Sequence, residues 1–173
     1  PGLARLAAMR ARLLLLLAVL LPSIACDQAT KAMAITHLKG GPPLSLDLAP
    51  LSARLVYAEN PGAFLGLGRA LPEQLRWLLL TVAVSLMLVA MVVVLLRRPL
   101  TRGVALGLAL LIAGGAGNLI DRVARPGGRV VDFAQLGVRL GPLDARTGVF
   151  NVADLAIVGG ALERIFQPRR DPI

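Results

Sequence analysis

A run of 19 residues without a charged side chain, 78–96, constrains the fold of this chain more than any other feature. A helix of that length crosses most of the hydrocarbon core of a bilayer, which is roughly 30 Å thick. A second uncharged run, 103–120, is rich in Gly and Ala, which allow helices to approach closely in lipid. Both runs predict transmembrane helices.

Two weaker candidates flank these runs. Residues 13–38 are largely apolar but include Asp27 and Lys31, and residues 150–166 are apolar around Asp154. Hydrophobic residues make up 56% of the chain, against about 45–50% in soluble domains. We therefore predict an all-α membrane protein: one integral domain covering the whole chain, with four transmembrane helices and a small extracytoplasmic β-cradle.

The charges predict the orientation. Segments 1–12 and 97–102 each carry three arginines and no acid, and the segment from residue 163 has a small positive excess. By contrast, residues 27–76 and 121–154 each carry five basic and four acidic groups. Positive loops stay in the cytoplasm, so both termini and the 97–102 turn are expected inside and the two long connections outside.

The first outward connection, about 39–74, is predicted to be a β-rich insert on the membrane surface. Residues 44–48 alternate between apolar and polar, residues 54–57 favour a strand, and Asn60-Pro61-Gly62 is typical of a turn. The second outward connection, about 121–154, holds most of the candidate chemistry.

The N-terminal region allows two interpretations. Arginines, a leucine run and Ser23-Ile24-Ala25-Cys26 resemble a signal peptide with a lipoprotein-type cysteine. Ser23 is polar where such a box prefers Leu, and Asp27 and Lys31 follow at helical spacing, which favours a retained helix. The chain starts Pro1-Gly2 without Met, and these first residues are expected to be a non-native remnant.

Several functional classes are disfavoured. The net charge is +9, but aromatic residues total only 3%, so a nucleic acid would find no stacking surface and is not expected as a partner. With one cysteine and one histidine, a cysteine-built metal site is excluded. We expect neither a metal nor another cofactor.

Polar side chains near helix ends are the functional candidates, because they are costly at membrane depth. Asp27 and Lys31 lie at i, i+4 and form either a positioning ion pair or a snorkelling pair at the interface. The third helix ends with Asn118, Asp121 and Arg122, which either take part in function or follow a packing stretch as a solvated end. Asp121 is expected to stay ionised beside Arg122 and to brace the loop.

Two further carboxylates stand at opposite ends of the second outward loop. Asp132 lies in the apolar, strand-like stretch 130–133, and Asp154 starts the last helix three residues after Asn151. Two carboxylates that converge share a proton and can serve as acid and base towards water and a leaving amine. Alternatively, Asn151 or Asp154 only caps a helix.

In combination these motifs closely resemble the lipoprotein signal peptidase (signal peptidase II) family over residues from about 12 to 167. The motifs, in chain order, are Asp27-Gln28-x-x-Lys31, Asn60-x-Gly62, Gly114-Gly115-x-Gly117-Asn118-x-x-Asp121-Arg122, Val130-Val131-Asp132-Phe133 and Phe150-Asn151-x-Ala153-Asp154. One departure lies in Asn60-Pro61-Gly62-Ala63-Phe64, which is one residue shorter before Phe than the family pattern.

The resemblance implies an aspartyl endopeptidase of the bacterial inner membrane with the dyad Asp132 and Asp154 near the outer face. The remaining motif positions would bind or support: Asp27, Lys31, Asn60, Gly62, Asn118, Asp121, Arg122, Asn151 and Ala153. It implies prolipoprotein substrates with a diacylglyceryl cysteine, cleavage just before that cysteine, contact with membrane lipid, and inhibition by globomycin-type peptides.

Two alternatives remain from the residues alone. In an ion-coupled carrier, Asp27, Lys31, Asp132 and Asp154 would form a polar relay. In a membrane scaffold protein the same acids would cap helices. A continuous polar path through the bundle would favour the carrier.

Overall fold

The computed structural model describes residues 2–63 and 68–166. Within these residues the chain forms four helices, named here α1 (Gly2–Leu38), α2 (Glu73–Arg97), α3 (Arg102–Ala124) and α4 (Val152–Phe166). Leu78–Ala83 widens α2 into π-helical turns. Thr101 caps α3, because its side chain accepts a hydrogen bond from the backbone N–H of Val104 at 3.3 Å.

The two uncharged runs lie inside α2 and α3, as predicted. In the described part of the chain, α1, α2 and α3 are long and apolar enough to cross a membrane. α4 has 15 residues, which is shorter than the usual span of about 17–25. The first candidate span, 13–38, lies inside α1, and the helix extends beyond it to Gly2 through Ala, Leu and Arg residues that favour helix.

Four antiparallel strands form one sheet in the order β1-β2-β3-β4. These strands are β1 (Leu44–Leu48), β2 (Leu51–Asn60), β3 (Val130–Leu140) and β4 (Leu143–Arg146). The predicted β-rich insert is therefore present, but it supplies only half of the sheet. The connection between α3 and α4 supplies the other half, so the sheet joins the two connections and brings β3 beside β2.

Small residues set the distance between α3 and α4. A Cβ atom added to Gly160 would lie 2.5 Å from the carbonyl oxygen of Gly107, and one added to Gly114 would collide with the carbonyl of Ala153. The backbones therefore touch along this seam, as the glycine-rich sequence predicts. This close approach lets short Asn and Asp side chains on the two helices reach each other.

Two apolar clusters lie at different levels of α1. The first contains Leu16 of α1 and Leu95 of α2, with Ala105, Ala109 and Ile112 of α3. The second joins Ala34 and Leu38 near the end of α1 to Val131 of β3. Between these two levels α1 carries Asp27 and Lys31, which are fully buried.

Candidate active site

The first buried polar group is a lysine-centred cluster of Asp27, Lys31 and Asp121. The Nζ atom of Lys31 lies 2.7 Å from Oδ2 of Asp27 and 3.0 Å from Oδ2 of Asp121, and it donates to Oδ1 of Asn118 at 3.1 Å. These contacts use all three protons of the ammonium group. The predicted ion pair is thus formed, and it is buried in the bundle rather than snorkelling.

Asp27 also holds the beginning of α4. Its Oδ1 atom accepts a hydrogen bond from the backbone N–H of Ala153 at 2.9 Å, one of the N–H groups that have no partner within a helix. Gln28 donates to Oδ2 of Asp27 at 3.1 Å and to the carbonyl of Gly117 at 3.2 Å. A Cβ atom on Gly117 would lie 2.9 Å from the same carboxylate, so the glycine leaves room for Asp27.

Asp121 connects the lysine-centred cluster to the sheet. Its Oδ2 atom accepts from the backbone N–H of Val131 at 3.1 Å, and its Oδ1 atom lies 3.2 Å from Nε of Arg125. The predicted pairing of Asp121 with Arg122 is wrong. Consecutive residues on a helix do not face each other, whereas Arg125 follows Asp121 by one turn.

Arg122 holds two loops instead. Its Nη2 atom donates to the carbonyl of Gly62 at 2.6 Å, and its Nη1 atom donates to the carbonyl of Gly128 at 3.0 Å. Gly62 is also tied to Asn60, because its backbone N–H donates to Oδ1 of Asn60 at 3.0 Å. The guanidinium therefore fixes the turn after β2 against the C-terminal end of α3.

The second buried polar group is the carboxylate pair, Asp132 and Asp154, which Asn151 joins. The amide of Asn151 donates to Oδ1 of Asp132 at 2.7 Å, and its backbone N–H donates to Oδ2 of Asp154 at 3.2 Å. In return Oδ1 of Asn151 accepts from the backbone N–H of Asp154 at 2.9 Å. This reciprocal arrangement is a capping box, so the capping role is real and also brings the two acids together.

Amide groups occupy the remaining oxygens of the carboxylate pair. Asn118 donates to Oδ1 of Asp154 at 2.9 Å, and Asn60 donates to Oδ2 of Asp132 at 3.0 Å. Burial, followed by repulsion from the charge of Asp154, raises the pKa of Asp132 to about 6. Within the described residues, no Lys or Arg lies at salt-bridge distance from either acid.

An apolar cavity of about 220 Å³ reaches the carboxylate pair from between α2 and α3. Its wall is made mostly of apolar side chains, among them Leu80, Val84, Met87, Leu88 and Leu119. At one end it meets Asn118, Arg122 and Asp154. A hydrophobic segment in this cavity would lie directly against one of the two acids.

The structure brings every predicted site residue into this region, with Phe64 lying outside the described residues. Two contributors to the site were not predicted. Gln28 appeared only as a letter of a motif, although it contacts Asp27 and the backbone of Gly117. Arg125 was overlooked, although its i, i+4 spacing from Asp121 could have revealed it.

Fold and site together define a membrane protein with a pair of amide-bound carboxylates where a bundle of apolar helices meets a small sheet. The family model described as Signal peptidase (SPase) II matches residues 19–167, and the chain belongs to this family. It is 37% identical to a lipoprotein signal peptidase of Pelodictyon phaeoclathratiforme, covering 91% of this chain and 92% of that protein.

Further comparisons agree. A lipoprotein signal peptidase of Rhodococcus jostii is 38% identical, covering 87% of this chain and 70% of that protein. A solved bacterial membrane enzyme, determined by the in meso method at 2.3 Å, superposes with a TM-score of 0.69 over 91% of this chain and 94% of that chain, at 22% identity. The last comparison concerns the fold alone.

Proposed function

We propose that this protein removes signal peptides from diacylglyceryl-modified prolipoproteins, cutting just before the modified cysteine with Asp132 and Asp154 as an aspartyl dyad. Family membership and the relatives named lipoprotein signal peptidase support the substrate class. The dyad is proposed from the carboxylate pair itself: Asn151 bonds to both acids, and among the described residues no Lys or Arg lies at salt-bridge distance from either one.

The proposed chemistry needs one proton on the pair. Two close carboxylates share a proton, which titrates with the pair rather than with one residue. The ionised acid takes a proton from water while the water oxygen bonds to the scissile carbonyl carbon, and the protonated acid gives its proton to the carbonyl oxygen. Collapse of this adduct breaks the C–N bond, and the amine leaves with a proton returned by the pair.

The surroundings suit a lipid-bearing peptide. The apolar cavity beside Asp154 accepts a hydrophobic part of the substrate from the bilayer side. Asn118, Arg122 and Asn151 frame the scissile region, with Asn60 and Gly62 on the facing turn. We propose that globomycin-type peptides inhibit by occupying this same space.

We further propose one integral domain with four membrane crossings, cytoplasmic termini and the dyad near the outer face. The sheet would lie outside, built from the insert at about 39–74 and the catalytic loop at about 121–154. The C-terminal charges used to predict the orientation, Arg169, Arg170 and Asp171, lie outside the described residues.

Cysteine labelling tests this orientation. Single cysteines introduced on a Cys26→Ser background should be labelled from outside cells at positions 47 and 144. Labelling at position 98 instead would reverse the orientation.

An ion-coupled carrier is not supported. The lysine-centred cluster and the carboxylate pair lie at one level of the bundle. On the other side of this level, Leu16, Leu95 and Ala109 pack into an apolar cluster with almost no exposed surface. A polar relay would have to continue through that cluster.

The direct experiment mixes purified protein in detergent with a diacylglyceryl-modified prolipoprotein and follows the loss of the signal peptide by gel and mass. The unmodified prolipoprotein serves as the substrate control. We expect cleavage immediately before the modified cysteine. Cleavage elsewhere, or no cleavage by a protein that is monodisperse and folded, would contradict the proposal.

A further inference from the structure

A second cavity, of about 390 Å³, lies where the C-terminal end of α1 meets the first residues of β3. The side chains that define this basic cavity are Ile35, Lys39, Tyr57, Glu59, Arg125 and Arg129. Glu59 pairs with Val131, which packs against α1, so both side chains lie on one face of the sheet. The neighbouring Asp132 points to the opposite face. The basic cavity is therefore separate from the carboxylate pair.

The wall of the basic cavity holds three cations and one carboxylate. Oε1 of Glu59 lies 3.6 Å from Nζ of Lys39, and Oε2 lies 3.2 Å from Nη1 of Arg129. The hydroxyl of Tyr57 donates to Oε1 of the same carboxylate at 2.7 Å. One acid thus positions two of the cations, and positive charge is left in excess.

Several donor groups of these cations have no partner within the described residues. Arg125 contacts Asp121 through Nε, at 3.2 Å from Oδ1, and its two terminal nitrogens have no hydrogen bond in this part of the chain. Arg129 contacts Glu59 through Nη1 alone, which leaves Nη2 open. The side chains of Lys39 and Arg129 are 57% and 52% exposed. Guanidinium forks beside an ammonium group are the donors that proteins use for phosphate oxygens.

The position of the basic cavity along α1 identifies what reaches it. A helix rises about 1.5 Å per residue, so Ile35 and Lys39 lie roughly 6–12 Å beyond Lys31 towards the outer side of the proposed topology. The headgroup layer is about 5–8 Å thick on each side of the hydrocarbon core. Ile35 gives the cavity an apolar wall, and Met33, on the same turn of this membrane helix, is 61% exposed. A molecule bound here would meet cations at one end and an apolar helix surface at the other.

We infer that the basic cavity binds the phosphate of an anionic phospholipid, with Lys39, Arg125 and Arg129 as donors and Ile35 against the beginning of an acyl chain. Basic pockets between membrane helices bind lipid headgroups in this way. A zwitterionic headgroup would bring a further positive charge to a wall that already has an excess, so an anionic one is preferred. A free phosphate ester has the same donors available but lacks the chain. The site rests on the proposed topology and not on the proposed reaction.

The test counts lipid molecules bound to the intact protein by native mass spectrometry in detergent. Dioleoyl phosphatidylglycerol and dioleoyl phosphatidylcholine, which differ only in the headgroup, are titrated separately. The cavity variant combines Lys39→Gln with Arg129→Gln. It leaves Arg125 in place, because that residue also contacts Asp121.

A matched control variant combines Arg139→Gln with Arg146→Gln. Both arginines bond to Asp144 at 3.2 Å and lie on the polar face of the sheet, the face that carries Gln135, outside the basic cavity. Each double variant therefore removes two cations that share one acid. Size-exclusion chromatography verifies that both variants are folded and monodisperse.

We expect wild type and the control variant to bind one phosphatidylglycerol more tightly than phosphatidylcholine. In the cavity variant the affinity for phosphatidylglycerol should fall by about tenfold or more. Equal affinity of wild type for the two lipids would overturn the site without any variant. An equal loss in both variants would overturn it as well, because net charge alone would then explain the binding.

Two soluble competitors distinguish the lipid from other anions. Glycerol 3-phosphate should not displace the lipid, and displacement at equal concentration would assign the cavity to a free phosphate ester and overturn the lipid. Displacement by a soluble acidic peptide would assign it to a protein partner and overturn the lipid too. The readout needs no turnover, so a failed cleavage assay leaves this result interpretable.

Discussion

Two pairs of buried aspartates lie side by side in this protein and differ in what surrounds them. Asp27 and Asp121 are each 1% exposed, and both contact the ammonium group of Lys31. Asp132 and Asp154 are 2% and 8% exposed, and their partners are amide side chains and one backbone N–H. Aspartates of similar burial thus contact a lysine in the first pair, whereas no Lys or Arg among the described residues lies at salt-bridge distance in the second.

The different partners suit the two pairs of aspartates to different roles, the first to holding the fold together and the second to the proposed proton transfer. A buried carboxylate with a cation and hydrogen bonds at every oxygen stays ionised and holds its neighbours in place. A carboxylate pair that receives only neutral donors retains a proton that it can exchange. Asn118 connects the two groups, because its oxygen accepts from Lys31 and its amide donates to Asp154. The lysine-centred cluster is therefore linked to the carboxylate pair through Asn118, while Lys31 itself makes no salt bridge with Asp132 or Asp154.

The largest expected effect is the loss of turnover in Asp132→Asn and Asp154→Asn. Each change keeps the shape but removes the acid or the base, so we expect a drop of at least about 10²–10⁴-fold in initial-rate measurements. The double variant should be hardly worse than either single one, because the two acids act as a unit. Asp144→Asn is the matched control, an exposed acid paired with arginines on the polar face of the sheet.

If Asp132→Asn retained more than about a tenth of the wild-type rate, the loss would be far smaller than expected. The assignment of Asp132 to the dyad would then be wrong. Asp121 would then be the next acid to test.

Lys31→Met should act on folding rather than on chemistry. It leaves two buried carboxylates without their shared cation, which costs about 3–5 kcal/mol of unfolding free energy. Unfolding in detergent, followed by circular dichroism, measures this loss. Lys39→Met is the control, because the Lys39 side chain is 57% exposed and pairs with the surface acid Glu59 at 3.6 Å. If Lys31→Met and Lys39→Met were equally stable, the lysine-centred cluster would not stabilise the fold.

The pH dependence of stability should distinguish Asp132 from a neutralised acid. Its pKa is about 6 in the folded protein against an ordinary value of 3.8, so the folded state holds the proton more tightly. Its contribution to stability is therefore present at low pH and lost as the pH rises through about 6. At about 1.4 kcal/mol per pKa unit, this amounts to up to about 3 kcal/mol.

The measurement compares wild type with Asp132→Asn at about pH 3 and about pH 8, on either side of the range between the ordinary pKa of 3.8 and the folded-state pKa of about 6. Wild type should lose stability relative to the variant as the pH rises. A relative gain with rising pH would show that Asp132 is held ionised in the folded protein, and the distinction between the two groups would disappear.

The smallest effect is expected for Asp27→Asn. The amide keeps an oxygen for the backbone N–H of Ala153 but no longer neutralises Lys31, which retains Asp121. Loss of one charged hydrogen-bond partner costs about 1.5–3 kcal/mol. The amount of folded protein should fall at least as much as the turnover of what remains, measured by size-exclusion yield and specific rate. A well-folded Asp27→Asn protein without activity would move Asp27 into the reactive group.

The helices were predictable because lipid permits few spanning structures, so long uncharged runs can only be helical. Half of the sheet was also readable, since residues 44–48 alternate within five positions. The extent of β3 and the existence of β4 were not, because they depend on pairing between β2 and β3, which are far apart in the chain. Pairing of this kind leaves little trace in a local pattern.

The site was predictable at the level of residue types and only partly at the level of partners. The motifs named Asp132, Asp154 and Asn151, and the i, i+4 spacing identified the contact between Asp27 and Lys31. The partners of Asp121 and Arg122 were assigned wrongly, because neighbours in sequence on a helix point in different directions. The hydrogen bond from the backbone N–H of Ala153 to Asp27 joins residues 126 positions apart. No local sequence pattern predicts this contact.

That long-range bond has a consequence for how the protein is made. α1 precedes α3 and α4 in the chain, so Asp27 and Lys31 are made before Asp121 and Ala153. An acid and a base one turn apart neutralise each other on the same helix, which lowers the cost of placing either in the bilayer. The backbone N–H of Ala153, which bonds to Oδ1 of Asp27, becomes available only when α4 is made. Asp154 lies on α4, so the proposed dyad gains its second acid only after α1, α3 and β3 have been made.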